Sequence, residues 1–148
     1  MRLLLQRVKS ASVEVDGNLV SSINTGLLCY VGFSISDTEK DMDYIVDKTL
    51  SLRVFSNDEG KFDISVSDYP GEILLVSQFT LYADIKKGRR PSFTEAMGIE
   101  EANSMFNNTV ERFKQKGTDI SAGIFQANMN VKSINDGPVT IMIDSIMK

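Results

Sequence analysis

Two short segments of this chain bring together groups suited to acyl chemistry. The first is Ser77-Gln78-Phe79-Thr80-Leu81, where hydroxyl and amide side chains interrupt an apolar run. The second is Asn135-Asp136-Gly137-Pro138-Val139-Thr140. Neither sets an ionisable base beside a nucleophile. Thr80 has no neighbouring histidine or N-terminal amine to activate it, which makes it a poor covalent nucleophile. What the end of such a segment can supply is backbone N–H groups aimed at a developing oxyanion. In the second segment, Gly137 before Pro138 lets carbonyls point where most residues could not aim them, and X-Pro bonds adopt cis far more readily than others. Each segment also has a plain structural reading. The first is a strand with Ser77 and Phe79 on one side and Gln78 and Thr80 on the other; the second is an Asp-Gly hairpin turn leading into a strand.

Absences narrow the chemistry further. The chain has no histidine, so the usual general base and the commonest metal ligand are both missing. Its single cysteine, Cys29, lies in the apolar run Leu27-Leu28-Cys29-Tyr30-Val31 and reads as a buried packing residue. One cysteine forms neither an internal disulfide nor a cysteine-rich zinc site. Ser-His-Asp and Cys-His mechanisms are excluded within one chain type, and no cofactor and no metal site are expected. The net charge of −4 opposes non-specific nucleic-acid binding. Against it stands Lys86-Lys87-Gly88-Arg89-Arg90, which is either a docking point for an anion or a solvated loop. A hydrophobic content of 42% with 24% charged residues fits a globular chain. No apolar run approaches the roughly 20 residues that cross a bilayer, and the N-terminal run is too short for a signal peptide. No membrane partner is expected, and a cytoplasmic location is.

The elements that must position these segments are mostly strands. Leu3 to Val8 reads as a buried strand despite poor alternation. Val13-Glu14-Val15 leads into the Asp16-Gly17 hairpin turn, and Leu19 to Ile23 returns. Leu27 to Phe33 is a buried strand, and with no helix between these strands this portion is not a βαβ unit. Ser36 and Glu39 fit a capping box for a helix carrying Met42, Ile45, Val46 and Leu50 at helical spacing. Leu52 to Phe55 is extended, Asn57 to Gly60 a turn, and Ile73 to Leu81 the strongest strand. A second helix spans about Glu100 to Gln115, with Ala102, Met105, Phe106, Val110 and Phe113 on its apolar face. Strands near Met129 to Ile134 and Val139 to Ile146 flank the Asn-Asp-Gly-Pro segment. The expectation is one α+β domain over residues 1–148: a mostly antiparallel, curled or barrel-like sheet of seven or more strands with two principal helices.

Taken in order, the two segments resemble the paired signature of the D-aminoacyl-tRNA deacylase family, also described as D-tyrosyl-tRNA(Tyr) deacylases. The resemblance extends through Gln6-Arg7-Val8, Gly26-Leu27-Leu28, Leu52-Arg53-Val54-Phe55 and Lys87-Gly88-Arg89-Arg90-Pro91-Ser92-Phe93. It implies a tRNA-binding hydrolase for chiral proofreading, a homodimer with each active site at the subunit interface. Ser77, Gln78, Phe79 and Thr80 would form the catalytic pocket. Gly137 and Pro138, joined by a cis bond, would reach in from the partner subunit, hold the substrate's α-amino group and leave no room for an L side chain. Gln6, Arg7, Asn135 and Met129 would support the site. The resemblance also implies that the 2′-hydroxyl of the terminal adenosine assists hydrolysis. The substrate would be D-aminoacyl-tRNA, with glycyl-tRNA mischarged on tRNA(Ala) also accepted. Lys86, Lys87, Arg89 and Arg90 are expected to meet acceptor-stem phosphates.

One stretch departs from the family pattern, with Gln126 standing where a glycine is usual in Phe125-Gln126-Ala127-Asn128-Met129. Two rival functions remain open at this point: Thr80 as covalent nucleophile of a small-molecule esterase or amidase, and a non-catalytic nucleic-acid-binding domain using the basic loop.

Overall fold

A computed structural model describes residues 1–147, so that Lys148, the last residue of the expected domain span, lies outside the described residues. The sheet is organised around β1 (Arg2–Val15), fourteen residues long. The separate strands expected at Leu3–Val8 and Val13–Val15 are therefore one. On one side, β1 pairs antiparallel with β2 (Asn18–Ile23), from Val15 opposite Asn18 to Ala11 opposite Ile23. The same edge then pairs with β3 (Gly26–Gly32), from Val8 opposite Gly26 to Arg2 opposite Gly32. The turn that starts this arrangement is the expected one, with Asp16 and Gly17 both at positive φ (50° and 79°).

Helix α1 (Glu39–Ser51) follows β3. Its start corrects the expected Ser36–Glu39 capping box. Ser36 is engaged in a turn of its own, its N–H donating to Ser34 Oγ at 3.3 Å. Thr38 is the N-cap, its N–H donating to the Asp41 carboxylate at 3.0 Å. A two-stranded unit, β4 (Arg53–Ser56) and β5 (Phe62–Ser65), encloses the expected turn at residues 57–60. Strand β6 (Glu72–Ser77) then joins β3 in parallel, and after α2 (Ile99–Gln115) the short β7 (Ile120–Ala122) joins β6 in parallel. Finally β8 (Met129–Asp144) runs antiparallel along the free edge of β1. The chain is thus α+β, with two principal helices and a curled, barrel-like sheet. That sheet has six strands rather than seven or more, because β4 and β5 form a separate pair.

Two apolar layers explain which runs were continuous. Leu27, Cys29 and Val31 of β3 and Ile73 and Leu75 of β6 face the helices, meeting Met42, Ile45, Phe106 and Phe113. Leu28 and Leu74 face the inside of the curl with Ala11, Val13 and Ile23. Strands buried on both faces lose the polar alternation of an exposed sheet. β1 changes face along its length. Leu3 and Leu5 belong to the helix side, Val8, Ala11 and Val13 to the curl, and its ladder with β8 shifts register on either side of Val8. This switch is why Leu3 to Val8 alternates poorly.

Cys29 is 0% exposed at the centre of the helix-side core, and burial pushes its thiol well above the ordinary value. It is expected to be inert to thiol reagents at pH 8 in the native protein and to react within seconds once denaturant unfolds the chain. Stoichiometric labelling under native conditions would contradict this placement.

Candidate active site

The expected strand Ile73–Leu81 ends early. β6 stops at Ser77, opposite Val31, and residues Phe79–Tyr82 form a 3-10 turn. The Gln78 N–H still donates to Val31 O, at 2.7 Å, after which β3 runs out at Gly32. The turn folds over that glycine. A Cβ on Gly32 would lie 2.8 Å from Gln78 O and 3.1 Å from Leu81 Cβ, so only glycine lets the backbone approach this closely. Leu81 N–H closes the turn on Gln78 O at 3.2 Å. Arg2 holds the far end: its Nη1 donates to Leu81 O at 2.8 Å, its Nε to Asp144 at 3.0 Å, and its guanidinium lies 4.5 Å from the Tyr82 ring centre. Burial, and secondarily Asp37 and Asp144, push the Tyr82 hydroxyl well above its ordinary value.

The turn sets the chemistry available. N–H groups in the first turn of a helical segment have no intrahelical acceptor, so those of Phe79 and Thr80 are free to meet an oxyanion. The Gln78 carboxamide donates to the Thr80 hydroxyl. An amide is not a base, and this contact does not activate Thr80 as a nucleophile. Phe79 is 58% exposed and rests edge-on against Phe93, 4.8 Å between ring centres. A cavity of about 480 Å³ opens beside the turn. Ser77, Gln78 and Phe79 form one wall, Phe125, Gln126 and Met129 another, and Thr80 is not part of its lining.

The second segment is not a hairpin. The stretches expected at residues 129–134 and 139–146 run in the same direction, both antiparallel to β1, as parts of β8. Thr140 pairs with Gln6 and Asn135 with Val8, so that Asp136 through Val139 are pushed out of the ladder opposite Arg7 alone. The Gly137–Pro138 bond in this bulge is cis. Gly137 sits at φ 127°, and a Cβ there would lie 2.8 Å from Val139 Cγ2 and 3.1 Å from Arg7 Nη2.

Arg7 underpins the bulge from below. Only 8% exposed, it donates through Nη1 to Val54 O at 2.6 Å and through Nε to Asp136 O at 3.2 Å. The same Nε stands 3.2 Å from the Asp136 carboxylate. Asn135 Oδ1 accepts the Val139 N–H at 3.1 Å, and the Thr140 hydroxyl accepts from Asn135 at 3.0 Å and from Gln6 at 3.2 Å. Of the residues singled out in the sequence, Gln6, Arg7, Asn135, Gly137 and Pro138 therefore form one cluster. Ser77, Gln78, Phe79 and Met129 form another, around the cavity. Gly137 and Pro138 do not line the cavity of their own chain. Sequence reasoning missed Val54, Asp136 and Thr140 as braces, although the last two lie within the motif itself. The stretch that departs from the family pattern, with Gln126, does line the cavity.

The basic loop stands beside the first cluster. Asp84 and Ser92 exchange backbone hydrogen bonds of 2.8 and 2.9 Å at its base. Lys86, Lys87, Arg89 and Arg90 are exposed, and among the described residues none forms an ion pair.

The comparisons with known proteins put the chain in a class of ester-cleaving hydrolases, the deacylases. The profile described as D-Tyr-tRNA(Tyr) deacylase matches residues 4–144. A D-aminoacyl-tRNA deacylase of Aquifex aeolicus is 52% identical over 145 residues, covering 98% of each chain. One from Clostridium tetani is 49% identical, covering 98% of this chain and 97% of the relative. Among solved structures, that of a c-Myc DNA Unwinding Element Binding Protein is 41% identical with a TM-score of 0.93, covering 97% of this chain and 98% of that one. A probable eukaryotic D-amino acid tRNA deacylase shares the fold at a TM-score of 0.86 and 17% identity, covering 97% and 98%. The chain belongs to the D-Tyr-tRNA(Tyr) deacylase family.

Truncating Arg7 leaves the Val54 carbonyl without its side-chain donor and the Asp136 carboxylate with only the Lys9 ammonium, 3.9 Å away. Arg7→Ala is expected to lower unfolding free energy by about 2–4 kcal/mol in urea melts. Arg7→Lys is expected to recover less than half of that, because one ammonium cannot fork to both partners. A loss under about 1 kcal/mol for the alanine variant would show that the bulge stands without its brace.

Proposed function

We propose that this chain hydrolyses the ester joining a D-amino acid to the terminal adenosine of tRNA, and that two copies are needed to complete each site. One observation carries the reading: a cavity beside free N–H groups and a braced Gly-Pro bulge are both built, yet the bulge does not line its own chain's cavity. In a two-fold dimer each subunit contributes its bulge to the other's cavity.

In this reading the ester carbonyl lies against the N–H groups of Phe79 and Thr80. Water, oriented with help from the adenosine 2′-hydroxyl, adds to the carbonyl carbon, and the oxyanion that forms is held by those N–H groups. The carbon–oxygen bond to the ribose then breaks, the ribose oxygen takes up a proton, and the free D-amino acid leaves. Carbonyls of the Gly137–Pro138 bulge hold the α-amino group, and an L side chain collides with that backbone. Attractive contacts discriminate small side-chain differences by only about 1–3 kcal/mol. A backbone wall rejects the wrong hand whatever its side chain. Glycine has nothing to collide, so glycyl-tRNA mischarged on tRNA(Ala) is a substrate as well. Met129 lines the cavity, and Gln6, Arg7 and Asn135 hold the wall in place. Lys86, Lys87, Arg89 and Arg90 meet acceptor-stem phosphates, which agrees with their exposure and lack of ion pairs among the described residues. The whole chain acts as one deacylase domain, in the cytoplasm where aminoacyl-tRNA is made and used.

Single-turnover ester loss from D- and L-tyrosyl-tRNA tests the wall. The D substrate is expected to be cleaved at least about 1,000-fold faster, beyond the roughly 200-fold that simple pocket contacts give. Thr80→Ala is expected to keep activity within a few-fold of wild type. Equal cleavage of both hands would end the wall, and loss of activity in Thr80→Ala would favour a covalent threonine.

Reversing two charges of the basic loop, Lys87→Glu with Arg89→Glu, is expected to weaken tRNA binding and flatten the slope of log affinity against log salt by about two. A second reading, DNA binding without catalysis, is favoured by the likeness to the 41% identical structure, a protein named for binding a DNA unwinding element. Duplex DNA bound as tightly as tRNA, with no ester cleavage, would support it.

A further inference from the structure

Gln126 is held in a backbone conformation that glutamine rarely adopts, φ 65°. It occupies the third position of the turn Ile124-Phe125-Gln126-Ala127, which Ala127 N–H closes on Ile124 O at 3.2 Å. A positive φ at that position is the usual province of glycine or asparagine. Apart from Gln126, the only non-glycine residue at positive φ among the described residues is Asp16, whose place in a two-residue hairpin favours aspartate. Gln126 has no such local reason. Strain kept at a ligand cavity points to a use for the side chain.

Gln126, an exposed residue, lines the open cavity formed with Phe79, Phe125 and Met129. Among the described residues its carboxamide has no hydrogen-bond partner, whereas the cavity's other carboxamide, Gln78, is committed to Thr80. A mostly apolar cavity of about 480 Å³ walled largely by aromatic rings and thioethers suits a flat heterocycle. A carboxamide offers one donor and one acceptor side by side, which is the complement of the N6 amino group and N7 of adenine. Hypoxanthine presents two acceptors along the same edge, O6 and N7, and the carbonyl oxygen of the amide has no donor to meet there.

We propose that Gln126 is a specificity-determining residue, its carboxamide reading the amino edge of the terminal adenine. The assignment rests on the deacylase reading for its biological setting. Its chemistry requires only that the cavity hold a purine.

The test has a kinetic arm and a binding arm. D-Tyrosyl-tRNA ending in adenosine or in inosine is given to wild type, Gln126→Ala and Gln126→Gly, and free adenosine and inosine are titrated against the same three proteins. Wild type is expected to favour adenosine about tenfold, the lower part of what a bidentate carboxamide contributes. Both variants are expected to fall to within twofold, through a higher KM for the adenosine substrate and a kcat within twofold of wild type. Gln126→Gly is also expected to melt about 2–4 °C higher, having shed the strained φ, so that a more stable protein binds its ligand less well. Variants that keep the wild-type KM and preference for adenosine would overturn the proposal. Absence of wild-type ester cleavage would sink the deacylase reading alone, and the nucleoside titrations would then decide the role of Gln126 by the same tenfold preference and its loss.

Discussion

The pairing of β8 along β1 is the constraint on which the rest of the site depends. Two stretches of regular ladder, from Arg2 opposite Asp144 to Gln6 opposite Thr140 and from Ser10 opposite Ile134 to Val15 opposite Met129, are fixed by the apolar residues they bury. Their registers do not agree, and the surplus residues must leave the sheet between them. Pro138 cannot donate to a ladder, so a break there costs nothing that proline had not already removed. The bulge therefore emerges at one place only. What it leaves behind is a hole in the ladder, and Arg7 fills it. A buried guanidinium is tolerable where carbonyls and a carboxylate take its donors, and Val54 O, Asp136 O and the Asp136 carboxylate are those groups. The charge that looks out of place in the core is the one that fixes the bulge.

The cavity side obeys a matching logic. β3 and β6 run in parallel until both end at the same level, Val31 opposite Ser77. Past that level no neighbour strand remains to accept hydrogen bonds, and the chain turns over the bare backbone of Gly32. Strand end and turn together leave N–H groups and an aromatic side chain at the rim of an apolar cavity. The Phe79 turn and the Gly-Pro bulge are thus each mounted on a β ladder, and the cavity's far wall comes from the turn between β7 and β8.

Much of this was legible in the residues. The Asp16-Gly17 hairpin, the doubly buried strands and the apolar face of α2 follow from turn chemistry and periodicity. The misses share a cause: a local pattern does not say where a neighbour ends. Ile73 to Leu81 is uniformly strand-like, yet its last residues coil because β3 stops at Gly32. Asn135-Asp136-Gly137-Pro138 has the composition of a hairpin turn whether or not the chain reverses, and only the shared partner β1 shows that it does not. Ser36 and Glu39 have capping-box spacing, but so do Thr38 and Asp41, and Ser36 is already engaged in its own turn with Ser34. β7 is three residues long and has no periodicity to read. The far wall of the cavity comes from the turn after β7, a place where composition alone gives no reason to look.

Rigidity on both sides bears on how handedness could be judged without charged catalytic groups. A side-chain wall can swing between rotamers and admit the wrong enantiomer some of the time. A wall of main chain, hung between two ladders and tied by Arg7, Asn135 and Thr140, has no rotamers to change. Its weakness is reach, since Gly137 and Pro138 do not line the cavity of their own chain. The two-fold dimer proposed above would remove that weakness without new structure, because one rotation would bring both bulges to both cavities. In the proposed dimer, the same ladder that makes the wall stiff also makes it unable to serve its own subunit, and association follows from stiffness.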